Sequence, residues 1–425
     1  MRLQLLARLL GISSLAACGL MLSHAASAAD KVKVEFWTMS MKPKFTPYFD
    51  SVVKKYEAAN PNVDVEWVDV PWDVLQAKLT ASIAAGSAPA LVQLNVPWAY
   101  DYAQDGVILP VDGLLGADRA MYAEGSLKDV TFNGKAYGFP HYNGANVTAF
   151  NTRLFQQAGV AQPPTTLAEQ LEVAKAIKAK TGQAGFSPAL GKIAGIFLQE
   201  GLPLVENGKA VFNSPQHVAL LKKFQEAYKS GALLKDKLFA EDNFQSSIDA
   251  YKSGRLGMLV APPQALVRIR DDAKDIYAVT DVTAAPLGPT KVAAGGWLFH
   301  FAVPKGTTGA TFTEAGKFAK FVTNDENQIE FSKLAGTFPT TRKAANDPHF
   351  QQLPPNAGAF EKAVSTGART MDSIRTLYVA GVPDFETLNK RLQDAVEAAV
   401  IGRKDIQTSL NDAVAFWNNK LVAKK

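Results

Sequence analysis

The sequence has little of the side-chain chemistry that enzymes and metal sites use. Its single cysteine, Cys18, lies in an apolar N-terminal segment, so a chain that loses this segment has no disulfide and no thiol nucleophile. Five histidines are present, and none has the spacing of metal ligands. The sequence also lacks a Gly-x-Ser-x-Gly elbow, a phosphate-binding glycine loop and a dinucleotide fingerprint. No pattern therefore predicts a catalytic residue, a metal site or a cofactor.

A strong charge of one sign is also missing. The formal net charge is +5 over 425 residues, and no run of five like charges occurs. Removal of residues 1–28, which hold Arg2 and Arg8 and no acid, leaves +3 (5 − 2) over 397 residues (425 − 28). A balance this mild does not indicate a nucleic-acid-binding protein. The remaining length suffices for two or three domains with large cores.

The N-terminal segment has the features of a secretory signal peptide. An apolar run over residues 9–22 follows the two arginines, and Ala26-Ser27-Ala28 fits a signal-peptidase site. The run is shorter than a membrane span requires. Leu15-Ala16-Ala17-Cys18 resembles a lipobox and offers lipidation of Cys18 as the alternative, but apolar residues follow where a lipoprotein usually has a polar tether. We therefore predict cleavage after residue 28 and export to the periplasm.

The first part of the mature chain alternates between strand and helix patterns. The apolar pattern predicts strands over 31–38, 63–70 and 90–96, with a helix after each. This order is typical of an α/β fold with a mostly parallel sheet flanked by helices. Further along, apolar periodicity predicts two long terminal helices over 385–401 and 405–421.

The stretch 293–306, AAGGWLFHFAVPKG, combines a glycine turn with a strand that is apolar on both faces. Gly295 and Gly296 allow the backbone to approach a neighbour closely or to adopt a positive φ. Trp297 follows at once, and its ring can either pack in the core or stack on a ligand. His300 lies within the apolar strand, where we expect a core histidine.

Four of the six tryptophans stand where strands or turns end. Trp37 stands at the end of the first predicted strand, Trp72 and Trp98 follow the second and third, and Trp297 follows the glycine pair. Ligands of open α/β sheets bind outside the carboxyl ends of the strands, so three rings at that edge indicate a binding site. Aromatic faces beside polar groups suit a sugar ring, which has apolar faces and a hydroxyl rim. Polar candidates at comparable segment ends are Asn95, His141, Tyr142, Asn143 and Gln264.

Short motifs follow one another in a characteristic order along nearly all of the mature chain. They include Phe36-Trp37, Tyr56-Glu57-Ala58-Ala59-Asn60-Pro61, Gly86-Ser87-Ala88-Pro89, Tyr137-Gly138-Phe139-Pro140, Ala149-Phe150-Asn151, Val211-Phe212-Asn213-Ser214-Pro215, Tyr251-Lys252-Ser253-Gly254-Arg255, Gly295-Gly296-Trp297 and Phe338-Pro339-Thr340-Thr341-Arg342. As an ordered set they resemble the extracellular solute-binding proteins of ABC importers, the family that includes the maltose-binding protein. The set says little about the ligand.

Two positions depart from the pattern of that family. The family usually has an aspartate after the proline at Pro89, where this chain has Ala90. An aromatic residue, often tryptophan, is common after the strand that ends near Val260, where this chain has Ala261-Pro262-Pro263-Gln264. We therefore expect Gln264 to offer a hydrogen bond where relatives offer a ring.

The resemblance implies a class II periplasmic-binding-protein fold, with two α/β lobes and a ligand cleft between them. Each lobe is expected to hold a mostly parallel sheet flanked by helices. The predicted division is a signal peptide over 1–28, an N-terminal lobe over 29–140 plus 287–335, and a C-terminal lobe over 141–286 plus 336–425. The crossings near Pro140, Pro286 and Gly336 are rich in glycine or proline and are predicted hinges.

The resemblance also implies a binding function without catalysis. We expect a monomeric receptor that closes on a mono- or oligosaccharide and delivers it to the transmembrane subunits of an ABC permease, without a cofactor. The expected ligand-binding residues are Trp37, Trp72, Asn95, Trp98, His141, Asn143, Gln264, Gly295, Gly296, Trp297 and Arg342.

Two alternatives stay open. The same fold could bind an acidic or phosphorylated solute, such as a glycerol phosphodiester or a uronate, and Lys42, Lys44 and Arg342 motivate this possibility. A secreted polysaccharide-acting enzyme is the other alternative. It would need two carboxylates that face each other across the cleft at catalytic separation.

Overall fold

The computed structural model describes residues 31–293, 295–379, 381–382 and 384–422. The predicted signal peptide, with its arginines and Cys18, lies outside the described residues. Within these residues, no helix combines the length and the apolar character that crossing a membrane requires.

The strands of the described chain are spread from residue 32 to residue 339. In chain order they are β1 (Val32–Met39), β2 (Val63–Val70), β3 (Leu91–Asn95), β4 (Ile108–Leu109), β5 (Thr131–Phe132), β6 (Lys135–Ala136), β7 (Phe139–Asn143), β8 (Val147–Asn151), β9 (Val205–Glu206), β10 (Lys209–Ala210), β11 (Met258–Ala261), β12 (Thr280–Ala284), β13 (Phe299–Pro304) and β14 (Phe338–Pro339).

Helices fill most of the intervals between the strands. In chain order they are α1 (Thr46–Ala59), α2 (Leu75–Ala84), α3 (Val96–Gln104), α4 (Asp112–Leu115), α5 (Glu124–Asp129), α6 (Thr152–Ala158), α7 (Leu167–Thr181), α8 (Ile193–Gln199), α9 (Pro215–Lys229), α10 (Phe244–Lys252), α11 (Gln264–Asp272), α12 (Lys274–Tyr277), α13 (Gly309–Val322), α14 (Asp325–Ala335), α15 (Arg342–Ala345), α16 (Pro348–Gln351), α17 (Ala359–Arg369), α18 (Phe385–Val400) and α19 (Ile406–Val422).

The larger sheet of the described chain has the order β14-β7-β13-β3-β1-β2, with β4 also paired to β13. Strand β1 pairs in parallel with β2 and β3, because helices connect these three strands as crossovers. Strand β13 arrives from a distant part of the chain and runs antiparallel to β3, β4 and β7, and β14 runs antiparallel to β7. The sheet is therefore mixed, where the sequence predicted a mostly parallel one.

A smaller sheet has the order β11-β8-β12, and both of its pairings are antiparallel. It too differs from the mostly parallel sheet that the sequence predicted for the second lobe. Beside it, α6, α7, α9, α18 and α19 enclose a separate apolar cluster. Trp417 is fully buried in that cluster, and its indole N–H donates to the carbonyl of Leu388 at 2.7 Å. The structural role that the sequence predicts for Trp417 is confirmed.

Strand β13 is the centre of the larger sheet and is covered on both faces. Phe301 and Val303 join one apolar cluster, while Leu298, which precedes the strand, and Ala302 join another. The alternation of apolar residues in 293–306 predicted this double burial. His300 is also fully buried in β13, as expected of a core histidine.

The chain leaves the larger sheet at points that differ from the predicted crossings. Strand β7 runs through Pro140 and ends at Asn143. Strand β14 lies after Gly336 and still pairs with β7. The first and third crossings therefore fall a few residues later than Pro140 and Gly336. The smaller sheet ends with β12 at Ala284, close to Pro286. The division into lobes stays a prediction, with its crossings moved to these points.

The burial of two histidines predicts that the folded protein loses stability at low pH. Burial lowers the pKa of His141 and of His300 from 6.5 to about 3. Between these two pH values the unfolded chain binds more protons than the folded chain, so stability falls as pH falls through that window. Each histidine contributes about 1.4 kcal/mol per pH unit to this loss. We expect His300→Gln to flatten the slope of the unfolding free energy against pH, measured by urea denaturation from pH 7 to pH 4.

The exposed His349 provides the matched control. His349→Gln should change the slope less than His300→Gln does, because burial lowers the pKa of this exposed ring only in part. An unchanged slope in His300→Gln would show that carboxylates, and not the buried histidine, set the acid response.

Candidate functional site

A cavity of about 1480 Å³ has walls from both sheets. On the side of the larger sheet, Pro97 and Asp101 of α3 and the Gly295-Gly296-Trp297 turn line it. On the side of the smaller sheet, the lining comes from α8, α10 and the start of α18. The cavity can therefore hold a solute that touches both sides at once, which is the geometry expected of a ligand cleft.

Both glycines of the turn are required by close contacts. Gly295 has φ of +103°, and a Cβ there would lie 2.7 Å from the side-chain nitrogen of Asn146. A Cβ on Gly296 would lie 2.9 Å from the carbonyl carbon of Arg375. Larger residues would force these neighbouring segments apart. The prediction that the glycine pair permits a close backbone approach is confirmed.

Asn143 fixes the backbone from which Trp297 projects. Its side-chain oxygen accepts hydrogen bonds from the backbone N–H of Trp297 at 3.0 Å and from that of Gly144 at 2.8 Å. Gly144 lies flat against the indole, since a Cβ on it would fall 1.7 Å from ring atoms of Trp297. The indole is 37% exposed, so it remains available in the cavity wall.

A buried ion pair holds the segment that covers the glycine turn. The carboxylate of Asp129 pairs with the guanidinium of Arg375 and accepts the backbone N–H of Thr376 at 2.9 Å. The hydroxyl of Thr376 then accepts the backbone N–H of Leu298 at 3.2 Å. Burial raises the pKa of the Asp129 carboxyl, and the Arg375 guanidinium opposes that rise. The pair thus ties residues 375–376 to the start of the site strand.

Five aromatic rings form a row that leads away from Trp297. The ring centroid of Trp297 lies 6.2 Å from that of Tyr142, and Tyr142 stacks on Phe299 at 5.1 Å. Phe299 meets Trp72 at 5.8 Å, and Trp72 meets Trp98 at 4.8 Å. We call these five residues the aromatic row. It joins three of the tryptophans that the sequence singled out.

Trp37 is not part of this row. Its side chain is 2% exposed and packs in the core of the larger sheet, with its indole N–H donating to Glu35 at 2.6 Å. The sequence placed Trp37 at the end of the first strand, but β1 continues to Met39. Trp37 is therefore an interior strand residue, and its expected place in the cavity wall is corrected.

Three other expected site residues also lie away from the cavity. Strand β7 continues past His141, so the His141 side chain is buried in the strand. It contacts the side chain of Gln93 at 3.1 Å. Gln264 begins α11, where its side chain lies against Gly336. The exposed Arg342 donates to the carbonyl of Tyr122 at 3.1 Å. None of the three lines the cavity, and neither do Trp72, Asn95, Trp98 and Asn143. Of the expected site residues, Gly295, Gly296 and Trp297 line it.

Asn95 has a role that the sequence did not assign to it. Its side-chain oxygen caps α3 by accepting the backbone N–H of Trp98 at 2.9 Å. A cap of this kind satisfies one of the free donors at the start of a helix. Asn95 and Asn143 thus position aromatic rings, whereas the sequence expected them to bond the ligand.

The sequence did not predict the polar residues that line the cavity on the side of the smaller sheet. Gln170 is 1% exposed, lines the cavity, and has no hydrogen-bonding partner for its side-chain nitrogen among the described residues. The sequence located its helix through the Thr166–Glu169 capping box, which the structure confirms. It did not indicate that the side chain of Gln170 faces the cavity, since this depends on how α7 packs.

Acidic side chains dominate the charged part of the lining. Lys192 is the one basic residue that lines the cavity within the described chain. The acidic lining residues are Asp101, Glu241, Asp242, Asp384 and Glu386. No three His, Cys, Asp or Glu side chains group as a metal site within the described ranges.

The contact between Gly144 and the indole predicts a local effect of a single methyl group. Gly144→Ala places a Cβ where ring atoms of Trp297 now lie, so the indole must move or the β7–β8 connection must shift. We expect a loss of about 1–3 kcal/mol of stability and a changed tryptophan fluorescence spectrum, measured on the purified protein.

Gly113→Ala is the matched control, since a Cβ there meets nothing within 4 Å. This variant should keep both the stability and the spectrum of the parent protein. A Gly144→Ala protein indistinguishable from the parent would mean that the indole does not rest on Gly144.

Comparisons with known proteins agree with this geometry. Residues 51–358 match the family model described as bacterial extracellular solute-binding protein. A protein of Brucella abortus (strain 2308) that is named as a binding protein is 26% identical over 408 residues, covering 93% of this chain and 95% of the relative. The sn-glycerol-3-phosphate-binding periplasmic protein UgpB of Salmonella typhimurium is 24% identical over 445 residues, covering 95% and 96%.

Solved structures share the same fold. A protein of Synechococcus sp. MITs9220, assigned to the oligosaccharide periplasmic-binding proteins, superimposes with a TM-score of 0.79 at 25% identity, over 92% of this chain and 99% of its own. The sugar-binding protein MalE of Xanthomonas citri gives a TM-score of 0.76 at 18% identity, over 92% and 98%. The predicted two-lobe periplasmic-binding-protein fold is confirmed.

Proposed function

The chain belongs to the bacterial extracellular solute-binding proteins, and we propose that it captures a neutral saccharide in the periplasm for an ABC importer. The observation that carries this proposal is the indole of Trp297, which is 37% exposed in the wall of the cavity. A fixed, partly exposed aromatic face suits the apolar face of a sugar ring. Its backbone is held by Asn143 before any ligand arrives.

Polar groups around the indole suit the hydroxyl rim of a sugar. Gln170 offers a buried amide donor, and the carboxylate of Asp101 offers an acceptor on α3. Ser187 and Asn243 line the cavity on the same side as Gln170, opposite Asp101. Hydroxyl groups both donate and accept, so a saccharide can satisfy this mixed lining.

An anionic ligand fits the charge of the cavity less well. Five carboxylates and one ammonium group line it, so a phosphate would meet mostly like charges. Of the basic residues that motivated the anionic alternative, Lys42 lies over the ring of Trp67 at 4.4 Å and Arg342 bonds a backbone carbonyl. The similarity to UgpB, which is named for binding sn-glycerol-3-phosphate, favours a phosphorylated solute, and the lining charge favours the neutral saccharide.

The enzyme alternative has no support from the family. The matching family comprises solute-binding proteins of transporters, and the relatives named above are binding proteins. The carboxylates of the cavity serve here as hydrogen-bond acceptors for hydroxyl groups.

Closure of the two lobes on the ligand completes the proposal. The chain passes between the sheets after Asn143, near Pro286 and after β14, and these connections act as hinges. The ligand stabilises the closed state because only that state offers contacts from both sides. The closed monomer then docks on the transmembrane subunits of the permease. Residues 1–28 direct the protein to the periplasm and are removed.

Thermal denaturation against mono- and oligosaccharides tests the proposal. A ligand of the folded state raises the melting temperature, since binding shifts the folding equilibrium. We expect one saccharide class to give such a shift, with little dependence on salt. Trp297→Ala should weaken its binding about tenfold, because the stacking face is lost, while Trp297→Phe should retain most of it.

Leu353→Ala removes a comparably exposed side chain (46%) and is the control for surface apolarity. It should bind as the parent does. A glycerol phosphodiester that binds more tightly than any sugar, with an affinity that falls as salt is added, would replace the saccharide by the anionic ligand.

A further inference from the structure

The aromatic row continues beyond the cavity, and we propose that Trp72 and Trp98 form an outer subsite for a second part of an extended oligosaccharide. The inner part of that ligand would lie against Trp297. The inference rests on the proposed saccharide function and deepens it, because it assigns the ligand a minimum length. It concerns residues that do not line the cavity itself.

The exposure of Trp72 is the first observation. Its side chain is 45% exposed, although a tryptophan of this size normally buries most of its surface. The ring is nevertheless held in place, since its centroid lies 4.8 Å from that of Trp98 and 5.8 Å from that of Phe299. The backbone N–H of Trp72 also donates to the hydroxyl of Ser40 at 3.2 Å. The exposed part of the Trp72 ring is therefore an ordered aromatic surface that does not pack in the core.

Continuity with the cavity is the second observation. Helix α3 supplies Pro97 and Asp101 to the cavity wall, and Trp98 lies between them in sequence. Residues three apart are neighbours on a helix surface, so Asp101 and Trp98 share one face of α3. A ligand that leaves the cavity along this face passes the carboxylate of Asp101 and then reaches Trp98 and the exposed Trp72.

The row reaches the surface at two places. Successive ring centroids from Trp297 to Trp98 are separated by 4.8 to 6.2 Å, the ordinary contact distance of packed aromatic rings. Tyr142 is buried and Phe299 is half-buried, so the two exposed faces are those of Trp297 at one end and of Trp72, which packs on the half-buried Trp98, near the other. A monosaccharide can cover only one of these faces, whereas an oligosaccharide can cover both.

Series of oligosaccharides of increasing length test the outer subsite. Binding to the full mature chain is measured by calorimetry with mono- to hexasaccharides of α-1,4-glucan, β-1,4-glucan, β-1,4-mannan and chitin series. We expect the affinity of the parent protein to rise with chain length. Trp72→Ala should lose about threefold to tenfold for the longer members and nothing for the shortest that binds. Trp297→Ala should lose affinity at every length.

Two further variants separate stacking from a general surface effect. Trp72→Phe keeps an aromatic face and should retain most of the length-dependent affinity. Leu334→Ala truncates a 54% exposed residue of α14 and should leave every affinity unchanged. The melting temperature of each variant confirms that it is folded.

The outcomes distinguish the subsite from the function on which it rests. If sugars bind but Trp72→Ala loses nothing at any length, the outer subsite is overturned and the saccharide function stands. If Trp72→Ala binds normally and only transport into cells falls, the tryptophan pair contacts the permease instead. If no member of any oligosaccharide series binds, the saccharide function is overturned, and the outer subsite is overturned with it.

Discussion

The side-chain oxygen of Asn143 is the contact on which the site depends. It accepts two backbone N–H groups, from Gly144 and Trp297, and so joins the end of β7 to the residue just before β13. The Asn143 side chain and its bond to Gly144 are fully buried, so loss of the amide would leave that donor unsatisfied at a cost of about 1–3 kcal/mol. Glycine at 144, 295 and 296 leaves room for the Trp297 indole, the Asn146 side chain and the Arg375 backbone respectively. Trp297 is placed by this junction together with the contact of its indole with Gly144.

The segment 375–376 closes the junction from the other side. Asp129 would be strongly unfavourable as a lone buried carboxylate, and its pairing with Arg375 and with the N–H of Thr376 commits that segment to one position. This segment leads directly to Leu377 and Tyr378, which line the cavity. The tyrosine ring packs on Tyr100 of α3 at 5.6 Å. A charge pair between the buried carboxylate of α5 and the partly exposed Arg375 thus shapes a wall of the cavity.

Sequence reasoning reached the family, the α/β fold and the glycine–tryptophan turn because each has a local signal. Apolar alternation marks β1, β2 and β13, and the glycine pair marks a close backbone approach. It misplaced Trp37 because this residue was taken to stand at the end of β1, which continues to Met39. It misplaced His141 because no strand was predicted over β7, which buries this side chain. The polar wall around Gln170, and the capping role of Asn95, depend on packing between elements that are far apart in sequence. The antiparallel direction of β13 has the same origin.

The two sides of the cavity differ in chemistry, and in the proposed function this difference couples recognition to closure. The larger sheet supplies the indole of Trp297, whose backbone is held by Asn143, so little conformational entropy is lost when a ligand stacks on it. The side of the smaller sheet supplies amide and hydroxyl groups from α7, α8 and α10, carboxylates from the segment before α10 and from the start of α18, and the rings of Phe244 and Phe385. A solute that satisfies both sides gains its second set of contacts only in the closed form, and that differential affinity is what shifts the equilibrium toward closure.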